Sequence, residues 1–154
     1  FNITARVVSV QNSDVWSKAG VMIRESLNNN SANAYMAVTP GNGTSFQTRS
    51  TTGGNTGNNA TAGLTAPYWV RLVRNGNTFS GYRSPDGVNW TQQGSSATIS
   101  MASSVFVGLA VTAHNNSKLC AATFDRLERR GLEPAQGCHA RLAARLGCVG
   151  AAGT

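Results

Sequence analysis

Apolar and polar residues alternate over short stretches along most of the chain. In Asn2–Val10, Ile3, Ala5 and Val7 alternate with Asn2, Thr4 and Arg6. In Ala19–Glu25, Val21 and Ile23 fall on one side, with Met22 and Arg24 on the other. A period of two sends successive side chains to opposite faces of an extended chain, so each stretch predicts a strand with one buried face. The same pattern gives strands at Ala34–Pro40, Ser45–Thr51, Tyr68–Arg74, Thr78–Ser84, Asn89–Gln93, Val105–Thr112 and Lys118–Phe124. Turn residues separate them: Gly41-Asn42-Gly43, Asn75-Gly76, Pro85-Asp86-Gly87 and the polar loop His114-Asn115-Asn116-Ser117. Thr52–Pro67, mostly Gly, Asn, Thr and Ala, reads as a mobile loop. About nine short strands without strand–helix alternation predict an all-β fold, an antiparallel β-sandwich. Its expected core contains Ile3, Val21, Ile23, Tyr68, Val70, Leu72, Phe79, Trp90, Val107, Leu109 and Phe124.

The pattern stops after Asp125. All eleven aromatic residues and all fifteen asparagines precede residue 126. The chain therefore divides into a sandwich module at 1–125 and a tail or linker at 126–154. Leu142 and Leu146 stand one helical turn apart, which allows a short helix at 139–146. Eight residues make a marginal helix in water, so a flexible tail is the preferred reading.

Composition narrows the function classes. Charged residues are only 12% of 154, while glycine reaches 17; a helical bundle would carry a surface rich in Glu and Lys. No apolar run is long enough to span a bilayer, so no membrane insertion is expected. The net charge of +7 raises nucleic acid as a partner. The basic residues are scattered, however, and no dense Lys/Arg run is present to neutralise a row of phosphates, so no nucleic-acid binding is expected. Three cysteines do not complete a disulfide framework. Cys120 sits in a strand-like run and is expected to be buried as a small apolar residue. Cys138 and Cys148 flank His139 in the tail, without the spacing of a zinc knuckle.

Catalysis has little material to work with. A glycoside hydrolase needs two carboxylates flanking the scissile bond, and the chain has six acidic residues, two of them in the tail. Asp86 belongs to a turn, where Asp is favoured for backbone reasons. His114 reads as a loop hydrogen-bonder, and no nucleophile elbow is present. No enzyme activity and no catalytic residue are therefore assigned.

Binding has better support. Sugar recognition uses flat aromatic faces against the apolar side of a pyranose and planar polar groups against its hydroxyls. A two-residue turn at Asn75-Gly76 pairs Val73 with Thr78, Arg71 with Ser80 and Trp69 with Tyr82. Tyr68, Val70, Leu72 and Phe79 then form the apolar inward set. The Asp86-Gly87 turn pairs Arg83 with Trp90 and sends Trp90 inward. Trp69, Arg71 and Tyr82 remain together on the other face as a candidate glycan platform. A cross-strand aromatic pair that only stabilises the sheet, by about 0.2–1 kcal/mol, is the competing reading. Trp16, at a loop-to-strand junction, is a secondary candidate. No cofactor is required; Asp14, Asn12 and loop carbonyls give weak support for calcium.

Several phrases carry a resemblance. They are Ile3-Thr4-Ala5-Arg6-Val7, Trp16–Glu25 (WSKAGVMIRE), Ala66-Pro67-Tyr68-Trp69-Val70-Arg71-Leu72, Gly76-Asn77-Thr78-Phe79, Ser84-Pro85-Asp86-Gly87 with Trp90, and Val107–Thr112 (VGLAVT) with His114-Asn115. In order and spacing, over about residues 1–125, the chain resembles bacterial secreted concanavalin A-like modules of the DUF1349 and β-xylosidase C-terminal type. The resemblance implies a jelly-roll sandwich in a secreted, multidomain protein, alongside other domains of the same parent chain. It implies a non-catalytic role, either carbohydrate binding or service as a structural spacer or protein-interaction module of a surface protein. Such modules carry a further portion before the first strand found here, so the chain is expected to be N-terminally truncated relative to them. They also end soon after a Phe-Asp-Asn-Val type of strand, whereas here Phe124-Asp125 is followed by Arg126.

Overall fold

The computed structural model describes residues 1–131 and the backbone of Arg141–Leu142. The chain is all-β, two sheets packed face to face. Its strands are β1 (Asn2–Val10), β2 (Lys18–Arg24), β3 (Asn33–Val38), β4 (Thr44–Arg49), β5 (Thr56–Thr61), β6 (Tyr68–Asn75), β7 (Thr78–Ser84), β8 (Thr91–Gln92), β9 (Ala97–Thr98), β10 (Phe106–Thr112), β11 (Ala122–Arg130) and β12 (Arg141–Leu142). One sheet has the order β11-β1-β6-β7-β8, with β9 also on β7; the other runs β12-β10-β2-β3-β4-β5. Pairing is antiparallel except for the two-residue β12, which runs parallel to β10. Among the described residues, no helix is long and apolar enough to cross a membrane.

Alternation builds the core as expected. Ile3, Val21, Ile23, Val70, Leu72 and Phe79 are fully buried, and Val107 nearly so. Tyr68, Leu109 and Phe124 pack against this cluster from half-buried positions. Gly81 faces inward on β7, and a Cβ there would stand 2.7 Å from Phe46 Cδ2 and 3.0 Å from Met36 Sδ. The missing side chain lets Phe46 and Met36 of the facing sheet reach β7.

Two strand expectations need correction. Thr52–Pro67 contains a strand, β5, at the edge of the second sheet. It is polar because its inward residues serve a buried amide. Gln93 Nε2 donates to Asn59 Oδ1 (2.9 Å) and Thr61 Oγ1 (3.0 Å), and Gln93 Oε1 accepts from Thr44 Oγ1 (2.8 Å) and Arg83 Nη1 (2.7 Å). Gln93 is fully buried, so these partners replace water at both ends of its amide. The last core strand starts at Ala122 rather than Lys118 and runs on to Arg130, across the compositional break at 125. Cys120 consequently lies in a loop, half-buried, its thiol 3.4 Å from the Gln11 carbonyl. The helix considered at 139–146 lies outside the described residues, apart from the extended pair Arg141–Leu142.

The break at 125 coincides with a bulge. Arg6 stands opposite Asp125 and Thr4 opposite Glu128, so three steps on β11 match two on β1. Arg126 occupies the bulge with a φ of 54°. Beyond it, Glu128 regains the outward face, opposite Thr4. The N-terminal strand β1 is paired on both sides, by β11 and β6. Phe1 closes this corner by exchanging two backbone hydrogen bonds of 2.9 Å with Arg74.

Candidate functional site

The β6–β7 hairpin turns at Gly76-Asn77, not Asn75-Gly76, so Asn75 pairs with Thr78. Gly76 has a φ of 59°, and Asn77 is not among the residues with positive φ. Glycine at the first central position is what a type II′ turn requires. The register moves by two: Arg71 stands opposite Tyr82, and Trp69 opposite Ser84. An even slip leaves every side chain on its expected face. Trp69, Arg71 and Tyr82 therefore share the outer face of the first sheet, each half-buried.

The next turn slips by one, which reverses a face. Arg83 pairs with Thr91 and Tyr82 with Gln92. Trp90, expected in the core opposite Arg83, lies instead on the outer face. The cause is the local chemistry of Asp86. Its Oδ1 accepts from the backbone N–H groups of Val88 and Asn89 and from Ser84 Oγ, each at 2.8 Å, and its Oδ2 accepts from Asn89 Nδ2 at 2.6 Å. These bonds, the Asn89 backbone N–H foremost, hold the carboxyl well below its ordinary value. They also stabilise a loop one residue longer than the tight turn the dipeptide Asp86-Gly87 invites.

The result is a built cluster. The Trp69 ring lies against Gly87, where a Cβ would stand 2.8 Å from Trp69 Cε2, and Gly87 has a φ of 78°. Trp90 Nε1 donates to the Gly87 carbonyl at 3.1 Å. The Arg71 guanidinium carbon lies 3.8 Å from the centroid of the Trp90 ring. Arg71 Nε donates to Thr4 Oγ1 at 3.0 Å. Burial, then nearby Arg130, lowers the Arg71 pKa; Glu128 and Tyr82 oppose that shift. Across this face runs a row of register partners: Glu128, Thr4, Arg71, Tyr82 and Gln92. In the adjacent row, Arg6 pairs with Asp125 at 3.2 Å beside Trp69.

Trp16 is placed elsewhere, in the loop between β1 and β2. Its backbone N–H donates to Asp14 Oδ1 at 2.7 Å, and its carbonyl accepts from the buried Lys18 Nζ at 2.9 Å. Lys18 Nζ also stands 5.6 Å from the Trp16 ring centroid. His114, exposed with a φ of 54°, lies 3.2 Å from the same Asp14 oxygen. Donors therefore surround that oxygen, an arrangement unlike the all-oxygen cradle calcium needs. Among the described residues, no three His, Cys, Asp or Glu side chains gather as a metal site. No hydrogen bond or ring contact among the described residues joins Trp16 to the Trp69 face.

No family model and no curated protein matches the chain. One solved structure does. The chain is similar to the crystal structure of a functionally unknown protein from Saccharomyces cerevisiae, with a TM-score of 0.58 and 19% identity over 82% of this chain and 68% of that one. Likeness at that identity shows the fold alone. The functional reading therefore rests on the outer-face cluster. Trp90, Gly87 and Thr4 belong to it without having been singled out for it in the sequence. The usable signal was Asp86 followed by Asn89, a carboxylate with several local donors.

Proposed function

We propose that this chain is a non-catalytic, carbohydrate-binding module whose ligand lies on the outer face of the first sheet, over Trp69, Arg71 and Tyr82, with Trp90 as a fourth member. The supporting observation is the state of the polar groups there. Trp69 Nε1, the Tyr82 hydroxyl and both terminal nitrogens of Arg71 make no hydrogen bond to any described residue, although the Trp69 ring lies against Gly87, the Arg71 guanidinium against Trp90, and Tyr82 is half-buried. A pyranose could lay its C–H face on ordered ring area and offer hydroxyls to those donors, with little rotamer entropy lost on binding.

The context we infer is the one the sequence phrases imply: a concanavalin A-like jelly-roll module of a secreted, multidomain bacterial protein. The two face-to-face sheets support the sandwich part of that reading. A spacer or protein-interaction role is the second reading. It is favoured by the bond from Trp90 Nε1 to Gly87, which satisfies the indole within the chain.

Affinity electrophoresis through a panel of neutral and acidic polysaccharides tests the proposal. Retardation of the wild type that Trp69→Ala abolishes, with an unchanged circular dichroism spectrum, is the expected outcome. A panel without retardation, or retardation that Trp69→Ala leaves intact, refutes this face as a glycan site.

A further inference from the structure

The charges on this face are unevenly matched. Of the acids that β11 contributes, Asp125 is engaged by Arg6 at 3.2 Å, and Glu128 by Arg130 at 3.0 Å. Arg71 has no carboxylate within ion-pair distance among the described residues. It is nonetheless the most constrained of the three arginines: Nε is held by Thr4 Oγ1, and Trp90 covers one side of its plane. What remains is the outer fork, Nη1 and Nη2, fixed and without a hydrogen-bond partner among the described residues.

A planar fork of parallel N–H donors matches the two oxygens of a carboxylate, and such bidentate pairs are stronger and more directional than bonds to neutral hydroxyls. A guanidinium already partly stripped of water and held in one orientation loses little further hydration or freedom on pairing. The flanking Trp69 and Tyr82 supply ring and hydroxyl contacts for the sugar that would carry the carboxylate.

Resting on the carbohydrate reading above, we infer that the ligand is an acidic glycan, a polyuronate, whose carboxylate pairs with the free fork of Arg71 while its ring lies against Trp69. Neutral polysaccharides of the same backbone should bind much more weakly.

The test uses polygalacturonate, alginate and carboxyl-reduced polygalacturonate, the last keeping the ring backbone but replacing each carboxylate with an alcohol. Dissociation constants are measured by titration calorimetry at about physiological ionic strength, where diffuse attraction is screened beyond roughly 8 Å. Two variants are compared, Arg71→Gln and Lys118→Gln, which lower the net charge by the same one unit; Lys118 is exposed in the loop between β10 and β11, where it bonds the Ser13 carbonyl. The expected result is binding of at least one polyuronate that weakens tenfold or more on carboxyl reduction. Arg71→Gln should remove that preference; Lys118→Gln should preserve it. Arg71→Lys, which retains the charge without the fork, should restore only part of it. Equal affinity for the reduced polymer overturns the acidic-ligand inference and leaves the carbohydrate reading standing. Equal losses in Arg71→Gln and Lys118→Gln overturn it too, by showing binding through net charge alone. Failure to bind either polyuronate also overturns it, and the neutral panel and Trp69→Ala then decide the carbohydrate reading separately.

Discussion

Replacing Trp90 with alanine distinguishes the two faces on which that ring could lie. In the core, loss of a Trp costs about 3–5 kcal/mol, from lost transfer energy and the cavity left behind. On the outer face the ring is half-buried, so truncation leaves no closed cavity, and two specific contacts add to the transfer energy of its covered area. The cation–π contact with Arg71, at 3.8 Å, is worth about 0.5–1 kcal/mol near a surface. The bond from Nε1 to the Gly87 carbonyl, at 3.1 Å, contributes a further 0.5–1.5 kcal/mol or about that. These two contacts contribute about 1–2.5 kcal/mol, and the lack of a closed cavity keeps the total destabilisation below that of a core truncation. Phe79→Ala is the internal standard: Phe79 is fully buried, and its loss should cost about 3–5 kcal/mol. Urea unfolding followed by circular dichroism measures both, with the slope checked for constancy so that midpoints report stability. A Trp90→Ala variant as unstable as Phe79→Ala would place the ring in the core and refute the one-residue slip. With that slip would go the four-member platform.

Three further perturbations probe the same account. Gly87→Ala forces a side chain into a left-handed backbone position, at about 1–2 kcal/mol, and drives its Cβ toward the Trp69 ring; urea midpoints should fall and the tryptophan emission spectrum should shift. Arg126→Gly should stabilise the fold by roughly 1 kcal/mol, because a non-glycine residue at a φ of 54° is strained; a lower melting temperature would contradict the bulge at 125–128. Asp86 has its folded pKa depressed, so its stabilisation is complete above the ordinary value of 3.8 and is lost as pH falls below it. Asp86→Asn should accordingly lessen the acid sensitivity of the fold below about pH 4, and an unchanged stability–pH profile would remove Asp86 as the organiser of the loop.

The elements that were legible in the sequence are those whose buried face is apolar. Ile3, Val21, Ile23, Val70 and Leu72 announce their strands because each lies two residues from another inward hydrophobe. β5 was hidden because its inward residues, Asn59 and Thr61, bond to Gln93, and period-two hydrophobicity cannot register a polar partner. The site was legible to the extent that slips were even. The Gly76-Asn77 turn moved the hairpin register by two and left Trp69, Arg71 and Tyr82 together. The Asp86 loop moved the next pairing by one and carried Trp90 from the expected core to the outer face. A single loop residue, fixed by a carboxylate's local hydrogen bonds, thus decided the composition of the candidate site.

The three indole N–H groups of Trp16, Trp69 and Trp90 give the most direct test of the glycan face. Their resonances in a two-dimensional nitrogen–proton spectrum can be assigned from the three Trp→Phe variants and followed during titration with uronate oligosaccharides and their carboxyl-reduced forms. Saturable movement of the Trp69 and Trp90 signals, with Trp16 stationary, is the predicted result. Movement of Trp16 alone, or no saturable movement of any of the three with either set of oligosaccharides, would contradict it.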